Sequence, residues 1–154
     1  MLNTMFRSIF FSTLAYTLLS ACNNAAKKEE TGKIINIPGL DNCDSAAVMY
    51  YHTPGNPRFF SMSKLYDKEI LSAIADNINA PIIEPKDTCS TQGKINYYGK
   101  EDAVYVVYFS RVKDCMTLSF IKTGEKYFVP MSDRTKDLLE ELEKEAKEPV
   151  AMVP

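Results

Sequence analysis

The sequence predicts an α+β protein with a mainly antiparallel β-sheet and two helices packed on one face of it. Short segments rich in β-branched and aromatic residues recur along the chain, turn-forming residues separate them, and two segments have apolar residues at helical spacing. The predicted order is short strand, hairpin, helix, four-strand meander and helix. We expect a single domain over residues 34–148, since this length suffices for one hydrophobic core.

The first strands are predicted around a segment rich in proline. Residues 34–37 contain three isoleucines and indicate a short strand. Residues 46–51 are apolar and aromatic enough for a central strand, and residues 58–62 should return as its hairpin partner. Because the intervening residues 52–57 contain two prolines, which are unsuited to a paired strand, we expect a projecting loop longer than a minimal hairpin turn.

The next segment has a helical period. Ile70, Ile74 and Ile78 recur every fourth residue, with polar residues between them, which predicts an amphipathic helix over roughly residues 65–79. Residues 80–92 then form a long irregular connection, and connections of this length are often functional or tied down.

Four further strands are predicted as an antiparallel meander. They cover residues 94–98, 103–110, 115–121 and 126–130, with a few turn-forming residues between neighbours. Apolar and polar residues alternate in the third of them. One face of the sheet should therefore lie on the core, and the other should meet water or a partner.

The last helix should begin near Ser132, a residue suited to a helix N-cap, and should end before Pro149. Residues 132–148 carry seven acidic and four basic residues, which accounts for the negative excess of the chain. We interpret them as the solvated exterior of this helix, with an acidic docking face as the alternative. Residues 149–154 are expected to form a loose tail.

The amino terminus has the pattern of a bacterial export signal. Arg7 precedes a hydrophobic run over residues 9–19, which is too short for a transmembrane helix and suits a signal peptide. The run ends in Leu19-Ser20-Ala21-Cys22, which closely resembles the lipobox of bacterial lipoproteins. This resemblance implies a signal peptide over residues 1–21, cleavage before Cys22 and acylation of Cys22. An ordinary secretory signal cut near Ala21 is the alternative.

A lipid on Cys22 would place the protein at the cell envelope. Two or more acyl chains anchor a protein stably, whereas a single chain binds only marginally. Residues 22–33 contain no large apolar side chain and should act as a flexible linker. In lipoproteins an aspartate after the cysteine can mark retention in the inner membrane. Because that position is Asn23, the resemblance favours the outer membrane, at its periplasmic face or the cell surface.

If Cys22 carries lipid, three cysteines remain in an oxidising compartment, and they allow one disulfide. We predict a bridge between Cys89 and Cys115, with Cys43 bonded to either of them as the alternative. The chain has one histidine and no closely spaced cysteine pair. We therefore expect no metal site and no cofactor.

The sequence constrains function less closely. It has no basic stripe of the kind that binds nucleic acid, and it lacks the phosphate-loop, nucleophile-elbow and zinc-protease motifs. Adjacent tyrosines of a strand point to opposite faces, so some of them should be exposed and suited to binding. The residues that we expect at a binding surface are Tyr97, Tyr98 and Asn56.

These observations favour a non-enzymatic, membrane-anchored envelope lipoprotein that acts as a binding or assembly module for another envelope protein. One alternative is an inhibitor of a periplasmic or surface enzyme that inserts the loop at residues 52–57. Another is a small thiol-dependent enzyme that uses Cys43 as nucleophile and His52 as base.

Overall fold

The computed structural model describes residues 32–84 and 89–149. The predicted signal peptide, Cys22, nearly all of the predicted linker and most of the predicted tail lie outside the described residues. Within the described ranges, six strands and two helices follow a short 3-10 helix at Leu40–Asn42, and the α+β class with a mainly antiparallel sheet is confirmed. In chain order the elements are β1 (Ser45–Thr53), β2 (Asn56–Leu65), α1 (Lys68–Ile78), β3 (Gly93–Tyr98), β4 (Val104–Ser110), β5 (Thr117–Lys122), β6 (Glu125–Pro130) and α2 (Asp133–Lys144).

The six strands form one antiparallel sheet in the order β2-β1-β3-β4-β5-β6. The hairpin and the meander are joined because β3 returns after α1 to pair with β1. Val48 of β1 lies opposite Ser63 of β2 and Ile95 of β3, and Ile95 lies opposite Val107 of β4. Strand β1 is therefore an interior strand, next to the edge strand β2, and its apolar composition is consistent with this position.

Both helices pack on one face of the sheet, which we call the core face. The alternation of strand side chains places every second residue there. Leu71 and Ile74 of α1 and Leu139 of α2 are almost fully buried in the same cluster as these strand residues. The core face contributes Val48, Tyr50, Ile95, Tyr97, Val107, Phe109, Leu118, Phe120 and Val129 to this cluster.

Side-chain caps start both helices. Asp67 Oδ1 accepts hydrogen bonds from the backbone N–H groups of Glu69 (2.8 Å) and Ile70 (3.2 Å). Ser132 Oγ accepts one from the N–H of Thr135 at 3.1 Å, as its sequence position predicts. Helix α1 begins three residues later than the predicted position 65, because β2 continues to Leu65.

The predicted short strand at residues 34–37 is not formed. Ile34 makes only an isolated bridge with Pro81, and the N–H of Ile82 donates to Lys33 O at 2.9 Å. Pro81 has no N–H with which to continue a ladder. The segment instead packs Ile35 and Ile37 against the core.

The projecting loop predicted at residues 52–57 is not formed either. Strands β1 and β2 extend towards a tight turn at Pro54-Gly55, and Thr53 pairs with Asn56. Gly55 has a φ of 80°, which this turn requires and which glycine adopts without strain. Pro57 lies inside β2, where proline is tolerated because β2 is an edge strand.

Candidate functional site: the open face of the sheet

The side of the sheet opposite the helices, which we call the open face, presents a continuous row of side chains across all six strands. Met62, Met49, Lys94, Tyr108, Ser119 and Phe128 lie opposite one another in successive strand pairs. None of these residues belongs to the hydrophobic core cluster beneath the helices. The row shows that apolar and aromatic groups extend over the face that the helices leave uncovered.

Several large apolar residues of the open face are strongly exposed. The relative exposures are 40% for Tyr98, 51% for Val104 and 60% for Ile121. Tyr98 and Val104 are directly opposite in β3 and β4, so their side chains adjoin. The remaining aromatic and sulfur-containing residues of the face are partly buried; they are Met49, Tyr51, Phe60, Met62, Tyr108 and Phe128.

The charged residues at strand positions of the open face all carry the same sign. They are Arg58, Lys64, Lys94 and Lys126, and no Asp or Glu occupies a strand position on this side. No ion pair within residues 32–84 and 89–149 involves any of the four. The open face is therefore cationic, although the chain as a whole has a formal charge of −2.

The cations and the rings of this face interact with one another. The Lys126 ammonium lies 5.5 Å from the ring centre of Tyr108 and 4.9 Å from that of Phe128, within cation–π range. Partial burial, with a smaller contribution from neighbouring Tyr108, raises the pKa of Tyr51. Asn96, which lies opposite Ala47 and Val106, has a buried Oδ1 that accepts no hydrogen bond within the part of the chain that the structure describes.

The three residues predicted for a binding surface lie in different environments. Tyr98 is on the open face, as expected. Tyr97 is wrong as a surface residue: it is 0% exposed, because it lies opposite Ala46 on the core face. Burial, together with the nearby Cys43 thiol, raises the pKa of the Tyr97 hydroxyl. Asn56 is exposed at the tip of the hairpin, where its Oδ1 accepts a hydrogen bond from the N–H of Arg58 at 3.1 Å.

Cys43 and His52 do not form a catalytic pair. Cys43 precedes β1 and His52 lies near its far end, so roughly 30 Å of extended chain separates them. His52 Nε2 is 3.0 Å from Glu148 Oε1. Burial, and then the charges of Asp44 and Asp41, raise the pKa of the Cys43 thiol. These effects disfavour the thiolate that a nucleophile requires.

Cys89 and Cys115 form a disulfide with a Cα–Cα distance of 5.4 Å, which confirms the predicted pairing, and Cys43 is free and buried. The bridge fastens the connection before β3 to the start of β5. Further hydrogen bonds hold the same connection, from Tyr51 N to Gln92 O and from Gln92 N to Phe109 O, both at 2.8 Å. The described part of the predicted long connection is therefore tied down.

A polar cavity of about 420 Å³ lies on the helix side, lined by Gln92, Arg111, Glu140, Glu143 and Lys144. Arg111 was not anticipated from the sequence. Its Nη1 donates to Glu143 Oε2 at 2.8 Å, and its guanidinium lies over the rings of two core residues, Tyr50 and Phe109. Because Arg111 is held by a carboxylate and by core rings, we interpret it as a residue that closes this end of the core.

Between positions 32 and 84 and between 89 and 149, no group of three or more His, Cys, Asp and Glu side chains is arranged to hold a metal ion. Over the same ranges, no helix has the length and apolar character needed to cross a bilayer.

No protein-family model, no curated protein and no solved structure matches the chain.

Proposed function

We propose that this protein is a lipid-anchored lipoprotein of the cell envelope that binds another envelope protein through the open face of its sheet. The observation that carries the proposal is the composition of this face. Tyrosine, phenylalanine, methionine and arginine are enriched in protein interfaces, and all four residue types occur here. The strongly exposed Tyr98, Val104 and Ile121 add apolar area that binding would remove from water.

The anchor is proposed from the lipobox residues Leu19-Ser20-Ala21-Cys22. Acyl chains on Cys22 would supply location, and residues 22–33 would set the distance from the bilayer. The outer membrane is favoured because Asn23 follows the cysteine.

The open face is a better candidate than the hairpin tip that the inhibitor hypothesis uses. The turn at Pro54-Gly55 is short, and the N–H of Gly55 donates to Thr91 O at 2.6 Å. The tip is therefore fastened to the neighbouring connection, whereas the open face presents a much larger contact area.

The lipid anchor can be tested by metabolic labelling. In cells fed with labelled palmitate, we expect the wild-type chain to become labelled and the Cys22→Ser variant to lose the label. Cys43→Ser is the control and should keep it, because Cys43 is buried in the folded protein. Label that persists in Cys22→Ser would contradict acylation at this residue.

The binding face can be tested by crosslinking on intact cells, followed by purification of the protein with its partner. We expect the triple variant Tyr98→Ser, Val104→Ser and Ile121→Ser to reduce recovery of the crosslinked partner by about tenfold or more, since exposed apolar anchors dominate binding energy.

A matched control removes equally exposed apolar groups outside the open face. Ile34, Tyr66 and Val112 have relative exposures of 54%, 65% and 47%. Changing these three to Ser should leave recovery of the partner unchanged. Equal loss in both triple variants, or no loss in either, would rule out the open face as the binding site. Thermal unfolding of each variant establishes that it remains folded.

A further inference from the structure

We infer that the open face docks an acidic segment of its protein partner. This inference rests on the proposed function and specifies the chemistry of the partner. It follows from the arrangement of the four basic residues, Arg58, Lys64, Lys94 and Lys126, among the aromatic side chains of the face.

The charges of the protein are segregated by face. The whole chain has 18 Lys and Arg against 20 Asp and Glu, so composition alone predicts a weakly acidic surface. The acidic excess lies on and around α2, on the other side of the sheet. Complementary charge steers association and suppresses wrong partners, so this separation favours an acidic partner at the open face and disfavours one at the helix layer.

The positions of the cations match a contact spread across the sheet. Arg58 and Lys64 lie on β2, at one edge; Lys94 lies on the interior strand β3; and Lys126 lies on β6, at the other edge. Because none of them has a carboxylate partner within the described residues, each is available to one from outside. An acidic segment that crosses the strands would pair with cations at both edges and cover the rings between them.

The rim of the face favours a protein over an anionic bilayer. Tyr98 and Val104 are the end pair of β3 and β4, and the turn that joins them carries the exposed Lys100, Glu101 and Asp102, with a net charge of −1. A flat anionic surface pressed against the face would bring its charges close to these carboxylates. A folded partner can place its acidic groups over the cations and leave this corner uncovered.

The inference can be tested with the full chain in detergent micelles and a random copolymer of glutamate and tyrosine as probe. We expect replacement of the four basic residues by Gln to weaken binding by about tenfold or more at low salt, because the losses of several cation–carboxylate contacts accumulate. High salt should weaken binding by the wild type and change the variant little. A control variant with the same loss of charge should bind as the wild type does; it replaces the exposed Lys68, Lys113, Arg134 and Lys144 by Gln.

Three results would overturn the inference. One is equal weakening by the two charge variants. Another is tighter binding of the wild type to phosphatidylglycerol vesicles than to the copolymer, which would assign the face to a membrane. The third is self-association in sizing chromatography that the open-face charge variant abolishes, which would assign the face to a second copy of this chain.

Failure of this inference can be distinguished from failure of the proposed function. One outcome is that the cellular partner is lost from the variant at Tyr98, Val104 and Ile121 but retained by the open-face charge variant. That result would support the open face as the binding site and contradict the inference that its partner is acidic. If both variants retain the partner, both proposals fail.

Discussion

Gly93→Ala is expected to lower the free energy of unfolding by about 3 kcal/mol, because it overpacks the centre of the sheet. Gly93 is the first residue of β3 and lies between Tyr50 of β1 and Phe109 of β4. A Cβ atom at this position would overlap the carbonyl oxygen of Met49 and the ring of Phe109. The first is backbone of an interior strand and the second is a fully buried ring, so neither can move aside cheaply.

Urea unfolding followed by circular dichroism measures the effect, with Gly99→Ala as the matched control. A Cβ at Gly99 would make only ordinary contacts, 3.4 Å from the Tyr105 ring and 3.5 Å from Ala103 Cβ. We therefore expect a change within about 1 kcal/mol for this variant. If Gly93→Ala unfolds at the same urea concentration as Gly99→Ala, the close packing of Phe109 over Gly93 is incorrect.

Removal of the disulfide by the double substitution Cys89→Ser and Cys115→Ser is expected to cost roughly 3 kcal/mol of stability, for a bridge between cysteines 26 residues apart. The bridge restricts the unfolded chain, and it also fastens the connection that leads into β3. The same urea titration, carried out without reductant, measures the difference.

Two controls show that the bridge itself is responsible. Reductant should bring the wild type to the stability of the double variant and should change the double variant little. Cys43→Ala keeps the bridge and should stay sensitive to reductant. Peptide mapping without reductant that recovers Cys43 joined to Cys89 or Cys115 would contradict the pairing.

The fold class could be predicted because its signals are local. The spacing of Ile70, Ile74 and Ile78 is helical whatever surrounds it, and the alternation around Leu118 marks a strand with one buried face. The disulfide was predictable for a related reason. Antiparallel strands joined by short links bring Cys89 and Cys115 to the same edge of the sheet.

The candidate site was predictable only in part. Alternation requires Tyr97 and Tyr98 to point in opposite directions, but it does not tell which of them faces the helices. Pairing decides this: Tyr97 lies opposite Ala46, and Ala46 belongs to the face that α1 and α2 cover. The prediction of a short strand at residues 34–37 was wrong for a similar reason. Its neighbour at the isolated bridge is Pro81, which has no N–H group to continue a ladder.

The sequence by itself determined the kinds of element, their approximate limits and the lipobox pattern at Cys22, because periodicity and motif spacing are properties of neighbouring residues. Only the tertiary structure decided that β3 joins β1 and that Pro57 lies within an edge strand. It also decided that basic residues of three different strands lie on one face of the sheet. Strand register brings together residues that are distant in the chain, and a shift of one residue would turn each side chain to the opposite face.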